Sequence, residues 1–163
     1  LGQPMAAYEM NAFKDEYQKA VIENAKHFAK CLASEGLDVA GDPNMDYTET
    51  HQVIVKVGYA HGPEIAERLE ANNIICNYQA TPEEEGFSAS GALRMGVNEM
   101  TRFGFGKEEF AKLAHLIAEC VLHDTNVKEE VSKLRAGYTD MHYCFSDAET
   151  EAMLQSFAQA TGI

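Results

Sequence analysis

The sequence has few basic residues. Among its 163 residues, 13 are Lys or Arg and 26 are Asp or Glu, which gives a formal net charge of −13. Binding to nucleic-acid backbones or to anionic membranes needs a surface rich in Lys and Arg, so the charge balance argues against both functions. No apolar run approaches the roughly 18 residues that a membrane-spanning helix requires. The 45% of hydrophobic residues is sufficient for one globular core at this length.

Cysteine is also scarce. Cys31, Cys76, Cys120 and Cys144 are far apart and form no CxxC pair. This spacing favours reduced thiols in a cytoplasmic protein over a disulfide framework or a zinc cluster, and we expect no structural metal. The sequence also has no glycine-rich phosphate loop, no nucleophile elbow and no HExxH pattern. It therefore carries no self-contained catalytic set.

The chain starts with Leu1 rather than Met, and no signal-peptide pattern follows. A long helical pattern begins almost at once and is expected over residues 15–35, with Gly36 as its stop. Its apolar face consists of Val21, Ala25, Phe28 and Leu32. A start so close to a long helix is typical of a piece of a longer protein. A helical domain with a trimmed tag is the alternative that composition leaves open.

The middle of the chain predicts a small sheet layered with helices. Alternating valines at 53, 55 and 57 indicate a half-buried strand over residues 52–57. Gly62-Pro63 predicts the start of a helix over 62–72, with Gly62 as N-cap and Pro63 at the first helical position.

Two further strands are predicted, a short buried one over residues 74–76 and another over 92–95. Between them, residues 80–91 have the Pro, Gly and acidic residues of a loop, and we interpret the acids as a solvated face. The order is β-α-β-β, which predicts a two-layer α/β (α+β) fold with a small sheet flanked by helices.

The last part of the sequence is predicted to be mainly helical. One helix is expected over residues 107–122, with acidic residues in its first turn, where they favour the helix dipole. A shorter helix follows, residues 141–145 are read as a short extended piece, and Ser146 with Glu149 forms a capping box for a last helix. The apolar residues of the last two helices are Val127, Val131, Leu134, Met153, Leu154 and Phe157.

Arg94 is the strongest candidate site residue. It lies in an apolar strand segment, where a guanidinium is costly without a partner. Its planar fork of donors can hold a carboxylate with two parallel bonds. An arginine that snorkels from an edge strand is an equally good explanation from the spacing alone. Gly91 and Gly96 on either side allow close backbone approach, which favours a site.

Two other polar groups occupy strand ends. His51 immediately precedes the valine-rich strand, where a lone histidine is more often a structural hydrogen bonder than an acid or base. Asn77-Tyr78-Gln79 follows the second predicted strand, and such residues are either site residues or turn formers.

Several short segments are similar, in order and spacing, to motifs of one family. Residues 90–96 read Ser-Gly-Ala-Leu-Arg-Met-Gly, which resembles a Ser-Gly-x-Arg-x-Gly motif with one extra residue. The other similar segments are residues 16–21, 24–26, 48–51, 66–70, Asn77, Pro82, 101–104 and 109–110. Over roughly residues 7–135, the chain resembles the C-terminal part of serine (glycine) hydroxymethyltransferase.

The resemblance implies a fold-type I pyridoxal phosphate enzyme, in which a large domain holds the cofactor through a lysine and a smaller C-terminal domain helps to close the site. Arg94 matches the arginine that binds the amino-acid carboxylate. Gln79 falls where the family has a folate-facing Asn. His51 matches a structural histidine, and Ser90 begins the arginine motif beside the site.

The sequence also departs from the family pattern. The family's Gly-Thr-Pro-Ala is Gly-Val-Asn-Glu at residues 96–99, its Thr-Thr-Arg-Gly is Thr-Arg-Phe-Gly at 101–104, and its Asn-Lys-Asn is Asn-Tyr-Gln at 77–79. Use of tetrahydrofolate therefore stays open, and a threonine aldolase or transaldolase-like activity is an alternative. No segment resembles the one that carries the Schiff-base lysine or the aspartate that pairs with the pyridine nitrogen.

The resemblance thus implies the C-terminal domain of a homodimeric, cytoplasmic enzyme of one-carbon and amino-acid metabolism. Residues 1–36 would lead in from an absent N-terminal cofactor domain, 37–123 would form the small α/β domain, and 124–163 a helical extension. The chain alone is expected to be inactive. A non-catalytic binding or dimerisation module that reuses the fold is the other alternative. We also expect apolar or loosely ordered surface before Lys14 and in the loop over 80–91.

Overall fold

A four-stranded antiparallel sheet with helices against one side forms the centre of the computed structural model, which describes residues 2–81, 83–84 and 89–162. The elements are α1 (Gly2–Ser34), β1 (Asp38–Val39), a 3-10 turn (Pro43–Met45), β2 (Gln52–Lys56), α2 (Gly62–Ala71), β3 (Asn77–Gln79), β4 (Ala92–Gly96), α3 (Asn98–Arg102), α4 (Lys107–His123), α5 (Lys128–Ala136) and α6 (Asp147–Thr161). The strand order is β1–β2–β4–β3. The predicted fold class is confirmed.

The core lies between the sheet and the long helices. Val53 and Val55 of β2 are almost fully buried, and they pair with Met95 and Leu93 of β4, which are buried on the same face. Helix α1 packs on β1 and β2, and α2 packs on β3 and β4. The prediction that the valine face of residues 52–57 packs against a helix is therefore confirmed.

The most extensive contact between two helices is the one between α1 and α4. Phe28 is 2% exposed, and its ring lies 5.3 Å from that of Phe110 on α4. Leu32 and Ile117 are buried with them. Burial of each such side chain contributes about 1.5–3 kcal/mol, so this contact is a principal source of stability for the domain.

The second predicted strand is displaced. Residues 74–76 are not a strand, and the strand is β3, at Asn77–Gln79. The reason is the end of α2: Asn73 has a φ of 64°, and the Ile74 N–H donates to the carbonyl of Leu69. The backbone before residue 77 therefore completes the end of the helix and does not pair with β4. Ile75 was predicted to be buried, but it is 86% exposed.

Other boundaries also differ from the predictions. Helix α1 begins at Gly2, well before residue 15, and α2 begins at Gly62 with His61 as N-cap, so Gly62 is not the cap. The short elements β1 and α3 were not predicted. A two-residue strand and a helix of little more than one turn carry too little periodicity for a sequence pattern to reveal them.

Residues 141–145 do not form an extended strand. Tyr143 has a φ of 57°, which breaks extended backbone. The segment instead packs its rings on the first half of α1, with Phe145 5.3 Å from Phe13 and Tyr143 5.1 Å from Tyr17. An aromatic run at this position is explained by ring packing against a helix.

The capping box of the last helix is confirmed. The Ser146 Oγ accepts from the Glu149 N–H at 3.3 Å, and the Glu149 carboxylate accepts from the Ser146 N–H at 2.8 Å. The helix that this box begins has no buried residue among its described side chains, and Leu154 and Phe157 are 41% and 56% exposed. Local capping, rather than burial, thus defines α6.

The segment before Lys14 is helical, and it exposes apolar surface at Tyr8 and Met10. Leu1, Pro82 and residues 85–88, which include part of the predicted loop, lie outside the described residues. Within the described residues, no helix is both long and apolar enough to cross a membrane.

Candidate functional site

Among the described residues, no helix packs on one face of the sheet. Strand pairing places alternate residues on it, and we call this the open face. Its members are Asp38, Gln52, Ile54, Lys56, Asn77, Gln79, Ala92, Arg94 and Gly96. The helix contacts of the sheet are made by residues of opposite alternation, such as Val53, Leu93 and Met95.

Arg94 lies in the middle of the open face. It is on β4, one of the two inner strands of the sheet, opposite Ile54 of β2 and Asn77 of β3. Its side chain is half-buried, and no hydrogen bond or ion pair joins its guanidinium to another residue within the described ranges. Arg94 is therefore not on an edge strand, which removes the premise of the edge-strand explanation. Its donors are available to an anion that approaches the open face.

Strand β3 presents its polar residues to the open face because of one contact on the other side. Gly62, at the start of α2, is so close to β3 that an added Cβ would lie 3.0 Å from the Cβ of Tyr78. Tyr78 is thus on the helix side of the sheet, and alternation places Asn77 and Gln79 on the open face. Gln79 is opposite Ala92, two residues from Arg94 along the strand.

The loop before β4 covers the Ala92 end of the open face. The Glu84 carboxylate accepts hydrogen bonds from the N–H groups of Thr81 and Gly91, at 2.7 and 3.1 Å. Lys56 forms an ion pair with Glu83 at 3.5 Å. A hydrogen bond from Thr81, supported by Lys56, lowers the pKa of Glu83, so the Glu83 carboxylate is ionised at neutral pH. Lys56, the lysine on the described strands, therefore already has an ion-pair partner.

Ser90 is buried beside α2 and not on the open face. It is 7% exposed, and its carbonyl accepts from the Gly62 N–H at 2.8 Å. The next carbonyl, of Gly91, accepts from the Val57 N–H at 2.8 Å. The Ser-Gly pair of the arginine motif therefore fixes where β4 begins, and with it the position of Arg94.

We expect Gly62→Ala to destabilise the domain. The added Cβ would lie 2.4 Å from the Ser90 carbonyl oxygen and 3.2 Å from that of Ala92. Backbone must therefore move, and overpacking of this kind costs about 1–3 kcal/mol. Gly137→Ala is the control, since a Cβ there meets nothing within 4 Å, and it should change stability by less than about 0.5 kcal/mol. Urea unfolding followed by circular dichroism measures both; equal stabilities for the two variants would contradict the close approach.

His51 lies at the Gly96 end of the sheet. Its ring is exposed, and its carbonyl accepts from the Val97 N–H at 3.1 Å. The preceding threonines form the turn that begins β2: the Thr48 hydroxyl donates to the Gln52 carbonyl at 2.8 Å, and the Thr50 hydroxyl accepts from the Gln52 N–H at 3.1 Å. This segment places the start of β2 against the end of β4.

Three of the four cysteines, Cys31, Cys76 and Cys120, do not add a reactive group. Burial raises the pKa of Cys76 to about 11 and also raises the pKa values of Cys31 and Cys120. These thiols stay protonated at neutral pH and are poor nucleophiles. In the part of the chain that the structure describes, no group of three His, Cys, Asp or Glu side chains could hold a metal ion.

Of the residues that the sequence indicated, the structure brings Arg94 and Gln79 together on the open face. His51 stands at one end of that face, and Ser90 is buried just before β4, where its carbonyl bonds the start of α2. Asn77 and Ile54 were not predicted to be the neighbours of Arg94. Strand alternation was the available signal for Ile54, whereas the pairing of Asn77 depends on the displaced β3.

Comparison with known proteins gives consistent matches. The family pattern described as serine hydroxymethyltransferase matches residues 5–117. The serine hydroxymethyltransferase of Pyrobaculum calidifontis is 38% identical over 153 residues, which cover 92% of this chain and 35% of that protein. The corresponding protein of Pyrobaculum aerophilum is 41% identical over 140 residues, 84% of this chain and 32% of that protein.

A solved structure matches over nearly the whole chain. The crystal structure of L-threonine transaldolase from Pseudomonas fluorescens, in its internal aldimine state, superimposes with a TM-score of 0.80 at 27% identity. The match covers 95% of this chain and 36% of that one. The chain thus spans about a third of the length of the proteins that it matches.

Proposed function

The chain belongs to the serine hydroxymethyltransferase family, and on this basis we propose that it is the C-terminal domain of a longer pyridoxal phosphate enzyme. The parent would act on serine and glycine or on a related β-hydroxy amino acid. The length of the matched relatives supports a larger parent, since this chain covers 35% and 32% of the two described above. We propose residues 1–36 as the lead-in helix, 37–123 as the small domain and 124–163 as the helical extension.

The position of Arg94 is the observation that carries the proposal. A cation in the middle of a sheet face, without an acid partner among the described residues, is suited to a carboxylate brought by a ligand. In the parent, Arg94 would hold the amino-acid carboxylate with two parallel bonds and so fix the direction of the substituents on Cα. His51 and Ser90 would support this role by fixing the two ends of the sheet.

The described residues of this chain do not fit pyridoxal phosphate itself. Lys56 is on the sheet but is paired with Glu83, and the other lysines lie on helices. Asp38 is directly opposite Lys56 on the open face, but that lysine is already paired with Glu83. We therefore assign the cofactor to the absent part of the parent, and the chain alone should not turn over serine. A homodimer in the cytoplasm is the assembly and location proposed for the parent.

A folate-independent transaldolase is the second candidate, and two observations favour it. The matched solved structure is described as an L-threonine transaldolase. Gln79 occupies the position for which the family has a folate-facing Asn, and its half-buried side chain lies on the open face. A longer amide at this position changes the space beside Arg94. We therefore propose tetrahydrofolate as a cofactor of the first candidate only. The remaining alternative is a binding or dimerisation module without catalysis.

Assays of the full-length parent separate these candidates. The purified protein, supplied with pyridoxal phosphate, is given serine with and without tetrahydrofolate, and threonine with an acceptor aldehyde. Folate-dependent formation of glycine from serine supports the hydroxymethyltransferase. Exchange of the aldehyde on threonine without folate supports the transaldolase. A parent that binds no pyridoxal phosphate and catalyses neither reaction would leave the module as the explanation.

A further inference from the structure

We propose that the side-chain amide of Asn77 is a second contact for the substrate carboxylate, next to Arg94. This inference rests on the proposed function of Arg94 and adds a residue to the same site. It follows from the pairing of β3 with β4, and it extends the binding site from one strand to two.

The register gives Asn77 its place. It is the residue directly opposite Arg94 on β3. The Cβ atoms of directly opposite residues lie about 5 Å apart on the same face of a sheet. The contact of Tyr78 with α2 fixes the alternation of this short strand, so Asn77 faces the open side. No other β3 residue is as close in register to Arg94.

The two flanks of Arg94 differ in chemistry. On the β2 side its neighbour is Ile54, which offers no hydrogen bond. On the β3 side the Asn77 amide is exposed and makes no side-chain hydrogen bond within the described ranges. Arg94 is half-buried although no described helix covers its face, so its stem lies against neighbouring side chains.

A carboxylate has more acceptor sites than one guanidinium can fill. Two parallel bonds from Arg94 leave outward lone pairs on both oxygens, and an amide N–H₂ beside the guanidinium can donate to one of them. The neutral amide adds a donor without adding charge. Its contribution should be that of one hydrogen bond to a charged group, and it should depend on the carboxylate.

The test measures glycine binding to the full-length parent loaded with pyridoxal phosphate, through the change that glycine causes in the cofactor absorbance. Asn77→Ala should raise the Kd of glycine about 10- to 100-fold, the range for one hydrogen bond to a charged group. Asn77→Asp should raise it further, because its charge repels the carboxylate. Binding of methylamine, which lacks the carboxylate, should be unchanged in Asn77→Ala. Tyr78→Phe, altered on the other side of the same strand, should bind glycine as the wild type does.

The outcomes separate this inference from the proposed function. If Arg94→Ala weakens glycine binding and Asn77→Ala does not, the inference is overturned and the proposed role of Arg94 stands. If Asn77→Ala weakens glycine and methylamine binding equally, Asn77 is structural and the inference is again wrong. A wild-type parent that binds no glycine would overturn both.

Discussion

Arg94→Ala in the full-length parent should lower kcat/KM for serine and threonine by at least about 100-fold. Removing one partner of a desolvated, charge-assisted pair costs on the order of 3 kcal/mol or more. The guanidinium lies on the central strand of the open face and has no acid partner in the described part of the chain that could replace the substrate. The substrate would lose both its charge partner and its orientation. Steady-state kinetics with both amino acids measure the effect.

The pattern across variants and substrates is more specific than the loss itself. Arg94→Lys should fall between alanine and wild type, because it keeps one charge and loses the two-pronged geometry. For a decarboxylated substrate analogue, Arg94→Ala should lower kcat/KM much less. Lys56→Met removes another cation from the same face, one paired with Glu83, and should have a small effect. Wild-type kcat/KM for Arg94→Ala would return Arg94 to the role of a half-buried strand residue.

Phe28→Ala should remove about 3–5 kcal/mol from the free energy of unfolding, the usual cost of deleting a buried phenylalanine ring. Phe28 is 2% exposed and packs on the ring of Phe110, at the contact between α1 and α4. Domains of this kind are stable by about 5–15 kcal/mol, so the variant should be partly unfolded well below the midpoint of the wild type. Urea titration of the chain gives the difference.

Tyr8→Ala is the matched control for this loss. It deletes an aromatic ring from the same helix, but at a position that is 63% exposed. We expect a change of less than about 0.5 kcal/mol. If the two variants lost the same stability, the buried contact of α1 with α4 would not be the source of stability that the packing indicates.

The sequence was sufficient to predict the elements that have a clear apolar pattern. Alternating valines identified β2, and the apolar stripe of α1 ends at the predicted stop, with Gly36 at a φ of 93°. It failed at β3, since residues 74–76 are apolar enough to suggest a buried strand, whereas the Ile74 N–H bonds the end of α2. The composition of a segment does not reveal whether its backbone will bond the end of the preceding helix or a neighbouring strand.

The candidate site was predictable in part. The cost of a guanidinium among apolar residues drew attention to Arg94, and the resemblance gave it a carboxylate ligand. Its central position, the uncovered face and the opposite placement of Asn77 depend on strand order and register. These follow from how segments distant in sequence pair, and one residue of slippage would reverse every face.

A crystal structure of the full-length parent with pyridoxal phosphate and glycine bound tests the central claim most directly. The account predicts that the open face is covered by the cofactor domain and that both carboxylate oxygens of glycine lie about 2.8 Å from nitrogens of Arg94. A glycine carboxylate held by other residues, with Arg94 facing solvent, would contradict it.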